Sequence, residues 1–130
     1  MLRGGVSGIN HITLDVINLP RSIRFYCEIL GCELRAQWDS GAYMECGATW
    51  ICLQVVPTMK SAEGTSHIAF DVASEDFQTL SEKLMVETTE WKANTSEGES
   101  LYFLDPDRNR LEIHVGSLQS RLNEYRQNCA

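Results

Sequence analysis

The chain of 130 residues has no apolar run near the about 18 residues of a membrane-spanning helix, and no N-terminal apolar stretch of signal-peptide length before Ile9. A cytoplasmic protein is expected. Basic charge is also scarce, with 11 Lys and Arg against 18 Asp and Glu for a net charge of −7. That sign disfavours nucleic acid and anionic membrane, which attract basic faces. No C-x-x-C pair occurs among the five cysteines (27, 32, 46, 52 and 129), and their number is odd. Neither a disulfide framework nor a thiolate zinc site is suggested, and all five read as free thiols in a reducing cytosol. The length suits one domain that buries roughly two-thirds of its unfolded surface. A compact protein acting on a small molecule is the expectation.

What the sequence does contain is an internal repeat. "INHITLDVINLPRSIRFYCEILGCEL" and "TSHIAFDVASEDFQTLSEKLMVETTE" each place His-Ile ahead of an apolar residue, then Asp-Val, then a helical pattern. Two copies are too few for a solenoid and fit two modules that pair with each other. In the first strand Ile12, Leu14 and Val16 alternate with His11, Thr13 and Asp15; in its repeat Ile68, Phe70 and Val72 alternate with His67, Ala69 and Asp71. Pro20 suits a first helical turn, with Ile23, Tyr26, Cys27 and Leu30 as the inward stripe and Gly31 as the stop. Ser74 suits the cap of the second helix, with Phe77, Leu80, Ser81 and Leu84 inward. Further strands are predicted over about 32–38, 41–46 and 50–56, and over about 86–91, 100–104 and 110–115. The reading is α+β: one domain made of two βαβββ modules (about 8–56 and 65–116), a linker over 57–65 and a C-terminal helix in "GSLQSRLNEYRQ".

The last strand alternates too, with Leu111, Ile113 and Val115 opposite Arg110, Glu112 and His114. Its repeat counterpart "WICLQV" puts Cys52 where Glu112 falls. Two imidazoles and a carboxylate on the polar faces of a curved sheet, His11, His67 and Glu112, suit a borderline or hard divalent cation with open positions for substrate. His114 stands one alternation from Glu112, as a further ligand or a partner of one.

The doubled βαβββ unit with His11, His67 and Glu112 resembles the vicinal oxygen chelate (glyoxalase-like) superfamily. The segments "WDSGAY", "TWICL", "WKANTSEGESLYFLDPD" and "LEIHVGSLQSRL" resemble its metal- and glutathione-dependent fosfomycin-resistance transferases, from Gly8 to about Arg126. The resemblance implies a homodimer in which His11 from one subunit joins His67 and Glu112 from the other around Mn²⁺. It implies K⁺ held by the loop Asn94, Ser96, Gly98 and Ser100, and fosfomycin's phosphonate held by Thr13, Lys92, Ser96, Tyr102 and Arg121. Glutathione would be the thiol, with Tyr43 and Thr13 as the residues at the reaction. The chain departs from that pattern at Arg108, where a Gly is usual, and at Ile68 and Thr95, which replace a tyrosine and an arginine. Cys52 stands where a glyoxalase I would have a carboxylate ligand.

Overall fold

The computed structural model describes residues 4–60 and 64–129. Contacts divide the chain into two compact units, Met1–Lys60 and Ser61–Ala130, each built around one four-stranded sheet.

In the first unit, β1 (His11–Val16) leads into α1 (Leu19–Arg24), and β2 (Glu33–Trp38), β3 (Gly41–Cys46) and β4 (Thr49–Val55) follow. The sheet order is β1-β4-β3-β2, with β1 and β4 parallel and the other pairs antiparallel. Asn18 caps α1 by accepting a hydrogen bond from the Arg21 amide, and Pro20 sits in the first turn, where its missing N–H costs nothing. The predicted stripe is displaced, however. Residues Phe25–Ile29 form a π-helical turn in which the Leu30 amide reaches the Phe25 carbonyl, so the helix winds wider than an α-helix there. Leu19, Ser22, Phe25, Tyr26 and Ile29 are the buried residues, while Ile23, Cys27 and Leu30 are half-buried. Burial pushes the Cys27 thiol up from its ordinary pKa, a bond to the Leu34 backbone opposes this, and Glu28 adds to the rise.

The expectation of five free thiols is corrected here. Cys32 and Cys46 form a disulfide, with Cα atoms 4.5 Å apart. The antiparallel register that pairs Glu33 with Glu45 brings the flanking cysteines opposite one another. Among the described side chains Cys27 and Cys52 are free, and that of Cys129 lies outside them.

The second unit repeats the topology. β5 (Ile68–Asp71), α2 (Ser74–Glu87), β6 (Glu90–Lys92), β7 (Ser100–Leu104) and β8 (Arg110–His114) give the order β5-β8-β7-β6, again with one parallel pair, β5 and β8. Ser74 opens α2, but the cap position is Ala73 and no side chain caps it. The helix runs to Glu87, so the strand predicted from 86 begins only at Glu90. Thr88 ends the helix and its hydroxyl donates to the Leu104 carbonyl, tying the end of α2 to β7. Fully buried Leu84, Phe103, Leu111 and Ile113 form the core of this unit, and each such side chain contributes about 1.5–3 kcal/mol by leaving water. Leu118–Cys129 form α3, opened by a reciprocal pair in which the Ser120 amide donates to Ser117 Oγ and the Ser117 amide to Ser120 Oγ.

The turn between β7 and β8 is organised by Asp105. Its buried carboxylate accepts from the amides of Asp107 and Asn109 and from the Asn109 side chain at 2.8–2.9 Å. Arg108, in the middle, takes φ = 67°.

Candidate active site

The strand registers lay the polar face of the second sheet out in rows. Ala69, Glu112, Tyr102 and Lys92 lie in one row across the four strands, and Asp71, His114 and Ser100 in the next. The first sheet has the same plan, with Thr13, Cys52 and Tyr43 in one row. Cys52 therefore occupies Glu112's position in the repeat and Tyr43 that of Tyr102. The Cys52 thiol donates to the Leu53 carbonyl at 3.8 Å, so it is turned to its own backbone.

Glu112 is only 4% exposed, a burial that a carboxylate tolerates only with partners. His67 Nε2 lies 2.8 Å from its Oε1, and the Ser100 hydroxyl donates to its Oε2 at 2.6 Å. The other face of the imidazole fixes its tautomer. His67 Nδ1 is 2.7 Å from the Thr65 carbonyl oxygen, which can only accept, so Nδ1 carries a proton. Nε2 then turns a lone pair on a carboxylate oxygen, and only a cation between them, a second proton or a metal ion, satisfies both. Neighbouring ligands about 2.1 Å from one ion lie about 3 Å apart, close to this separation. The donor set, one imidazole and one carboxylate oxygen with the outer N–H held by a backbone carbonyl, suits a borderline or hard divalent ion.

His11, in the first unit, is prepared in the same way. Its Nδ1 is 2.7 Å from Asn10 Oδ1, which leaves Nε2 as the free nitrogen, and its ring stacks on Trp50 at 4.2 Å. Tyr43 meets Trp50 and Trp38 edge-on at 5.1 and 4.7 Å and is 42% exposed. The structure thus gathers His67 and Glu112 in one unit and His11, Thr13 and Tyr43 on the open face of the other; among the described residues no three His, Cys, Asp or Glu side chains are grouped so that they could hold a metal ion between them.

Around the pair, Trp91 and Tyr102 meet the His67 ring edge-on at 5.3 and 5.5 Å, and Lys92 Nζ stands 5.0 Å over the Tyr102 ring. The loop 94–100 closes on itself. Asn94 Nδ2 donates to the Gly98 carbonyl at 3.0 Å, and the Ser96 amide and hydroxyl both donate to Asn94 Oδ1. Gly98 has φ = 77°, and a Cβ there would run into the Val115 carbonyl oxygen. Arg121, on α3, reaches Glu97 at 3.3 Å and His114 at 3.5 Å. Glu97 is the residue that the sequence reading passed over. Its only signal was its place between Ser96 and Gly98, which does not tell a solvated acid from a buried one. The same holds for Trp50, whose stacking on His11 follows from the register and not from spacing along the chain.

A family model described as the Glyoxalase/Bleomycin resistance protein/Dioxygenase superfamily matches residues 8–113. The chain belongs to that superfamily. Among its relatives is a glutathione transferase FosA of Serratia marcescens, 47% identical over 94% of this chain and 90% of the relative. A metallothiol transferase FosB of Staphylococcus epidermidis is 35% identical, covering 94% and 93% of the two chains. The fold is also that of the fosfomycin resistance protein FosX of Listeria monocytogenes complexed with Mn(II) and sulfate. That structure superposes with a TM-score of 0.81 at 29% identity, over 93% of this chain and 99% of that one. The α+β architecture expected from the repeat, two sheets of glyoxalase type, is what the structure has. No helix among the described residues is long and apolar enough to cross a membrane.

Proposed function

We infer that this protein inactivates fosfomycin by a divalent-metal-dependent addition of a thiol, glutathione, to the drug's epoxide. The observation that carries the reading is the imidazole and carboxylate turned on each other, His67 Nε2 and Glu112 Oε1, in a chain related to thiol transferases along nearly its whole length. His11, His67 and Glu112 would hold the ion, Mn²⁺ in this reading. That ion, when bound, supplies Lewis acidity to the epoxide oxygen.

The remaining work falls to the chain's own side chains. Lys92 and Arg121 supply positive charge for the phosphonate dianion, and Ser96, Tyr102 and Thr13 supply hydroxyls. An acidic protein needs such local cations, because its net charge of −7 repels an anion. Lys92 lies beside Tyr102 in the sheet register, and Arg121 is held near His114, so both approach Glu112's neighbourhood from within one unit. Tyr43 orients the entering thiol through a hydrogen bond from its hydroxyl. Asn94, Ser96, Gly98 and Ser100 would offer K⁺ their hydroxyl and carbonyl oxygens, for which the left-handed Gly98 supplies the tight bend.

His67 and Glu112 belong to one compact unit and His11 to the other. We propose a homodimer in which the partner supplies His11 to each site. Light scattering that gives a monomer mass at assay concentration contradicts this arrangement. We assign the cytoplasm as its location, where glutathione is kept as a reduced pool.

A second reading exchanges thiol for water. It is favoured by the likeness to a Listeria monocytogenes FosX mutant complexed with Mn(II) and 1S,2S-dihydroxypropylphosphonic acid, at 28% identity and a TM-score of 0.78. The test is ³¹P NMR of fosfomycin incubated with the protein, Mn²⁺, K⁺ and glutathione, with product masses determined. A thioether adduct supports the thiol reading, a diol supports hydrolysis, and unchanged drug with glutathione, cysteine and bacillithiol contradicts both.

A further inference from the structure

A chain of hydrogen bonds runs from the carboxylate of Glu112 to α3, and the valences of Glu112 and Ser100 fix which of Ser100 Oγ and His114 Nδ1 donates. Ser100 Oγ lies 2.6 Å from Glu112 Oε2 and 2.5 Å from His114 Nδ1. An ionised carboxylate only accepts, so the single hydroxyl proton of Ser100 goes to Glu112. His114 Nδ1 must then donate to Ser100. At its other nitrogen, His114 Nε2 faces Glu97 Oε1 at 3.3 Å and an Arg121 amino group at 3.5 Å. Glu97 in turn accepts from Arg121 Nε at 3.3 Å. Its side chain is 12% exposed and that of His114 13%, so water does not replace these partners freely. Gly116 leaves the space for the contact, since a Cβ there would lie 2.7 Å from His114 Nε2 and 3.2 Å from Glu97 Oε1.

We propose that His114 and Glu97 are positioning residues, which lock the Ser100 proton onto Oε2 of Glu112 and thereby leave Oε1 as the one oxygen that Glu112 presents to a divalent cation. This rests on the reading of His67 and Glu112 as a metal site and adds how the carboxylate is held within it. A carboxylate with both oxygens free can swing between one-oxygen and two-oxygen ligation; here Oε2 is already committed. The same lock leaves Ser100 Oγ one further lone pair, after one proton donated and one bond accepted, so the hydroxyl is still able to serve the 94–100 loop. Glu97 acts at a distance from the carboxylate. It gathers Arg121 and His114 and holds the imidazole plane in line with Ser100.

Two measurements test the arrangement. A long-range ¹H–¹⁵N spectrum of the metal-free protein is expected to show His114 with a proton on Nδ1. A spectrum of the Nε2–H tautomer alone overturns the proposal. Calorimetric titration with Mn²⁺ is expected to give an affinity about ten-fold weaker for His114→Leu and weakened for Glu97→Ala, as for partners that orient a metal ligand. His114→Asn, whose side-chain amide still donates to Ser100, is expected to stay near wild type. Wild-type affinity in His114→Leu contradicts the lock. Glu97→Ala and the spectrum decide the matter if that variant does not fold. Absence of Mn²⁺ binding by the wild-type protein refutes the metal reading itself, and the tautomer then tests the hydrogen-bond chain alone.

Discussion

At the scale of single residues, two positions carry measurable free energy. Arg108 holds φ = 67°, a left-handed conformation that crowds any Cβ. Arg108→Gly is therefore expected to stabilise the protein by about 0.5–1 kcal/mol, raising the melting temperature by about 3 °C in calorimetry. Glu97 is the second. Burial raises its carboxyl, but hydrogen bonds from Ser120, Arg121 and His114 and the charge on His114 outweigh this and hold it below the ordinary carboxylate value. A carboxyl lowered in the folded state stabilises above its unfolded value, about pH 4.3, and the contribution is lost as pH falls through the folded value. The stability of wild type over Glu97→Gln is thus expected to be constant near neutrality and to shrink below about pH 4.3 in denaturant melts. A difference that grows on acidification contradicts the ion-pair account.

At the scale of elements, the alternation of β1, β5 and β8 was legible in the sequence because a strand's period of two sorts residues by face without further information. That sorting set His11 and Glu112 opposite the aliphatic residues of their strands, while His67 falls just ahead of β5. Three features were not legible, each for a reason. The π-helical turn at Phe25–Ile29 depends on bonds reaching five residues back, which leave no periodic trace in so short a run. Strand β6 was predicted too early because Val86 fits a strand as well as a helix end, and the decision lies with Thr88 and its bond to β7. The Cys32–Cys46 pair was hidden because counting cysteines says nothing of register, whereas the β2–β3 hairpin sets the two opposite each other.

That crosslink and the 94–100 loop give the element-scale predictions. With its ends separated by 14 positions, the disulfide constrains the unfolded chain by about 3 kcal/mol on the loop-entropy estimate. Denaturant unfolding with and without reductant reads that difference. A thiol titration of the unreduced, denatured protein is expected to find two thiols fewer than after reduction. In a reducing compartment the same pair would stand as two thiols across the hairpin. Gly98→Ala, which adds a Cβ against the Val115 carbonyl in a left-handed position, is expected to displace the loop and abolish any stimulation of turnover by K⁺, while Mn²⁺ still binds. Complete loss of Mn²⁺ binding in that variant contradicts the proposal that the loop and the His67–Glu112 pair take different cations.

At the scale of the whole molecule, the two units share one scaffold and differ in the side chains that it carries. The same topology appears twice, and the same register sets Thr13, Cys52 and Tyr43 against Ala69, Glu112 and Tyr102. The face of the second unit carries Glu112 beside His67, Trp91 and Tyr102, and that of the first carries Cys52 in the carboxylate's place, with His11, Tyr43 and Trp50 around it. In the function proposed above, the facing pair His67 and Glu112 takes a divalent metal ion in place of a proton. The most direct measurement is electron paramagnetic resonance of Mn²⁺ titrated into the purified protein and into Glu112→Ala. Loss of the free-ion signal up to one ion per chain in wild type, and not in the variant, is the predicted result. Equal uptake by both proteins, or uptake by neither, contradicts the claim.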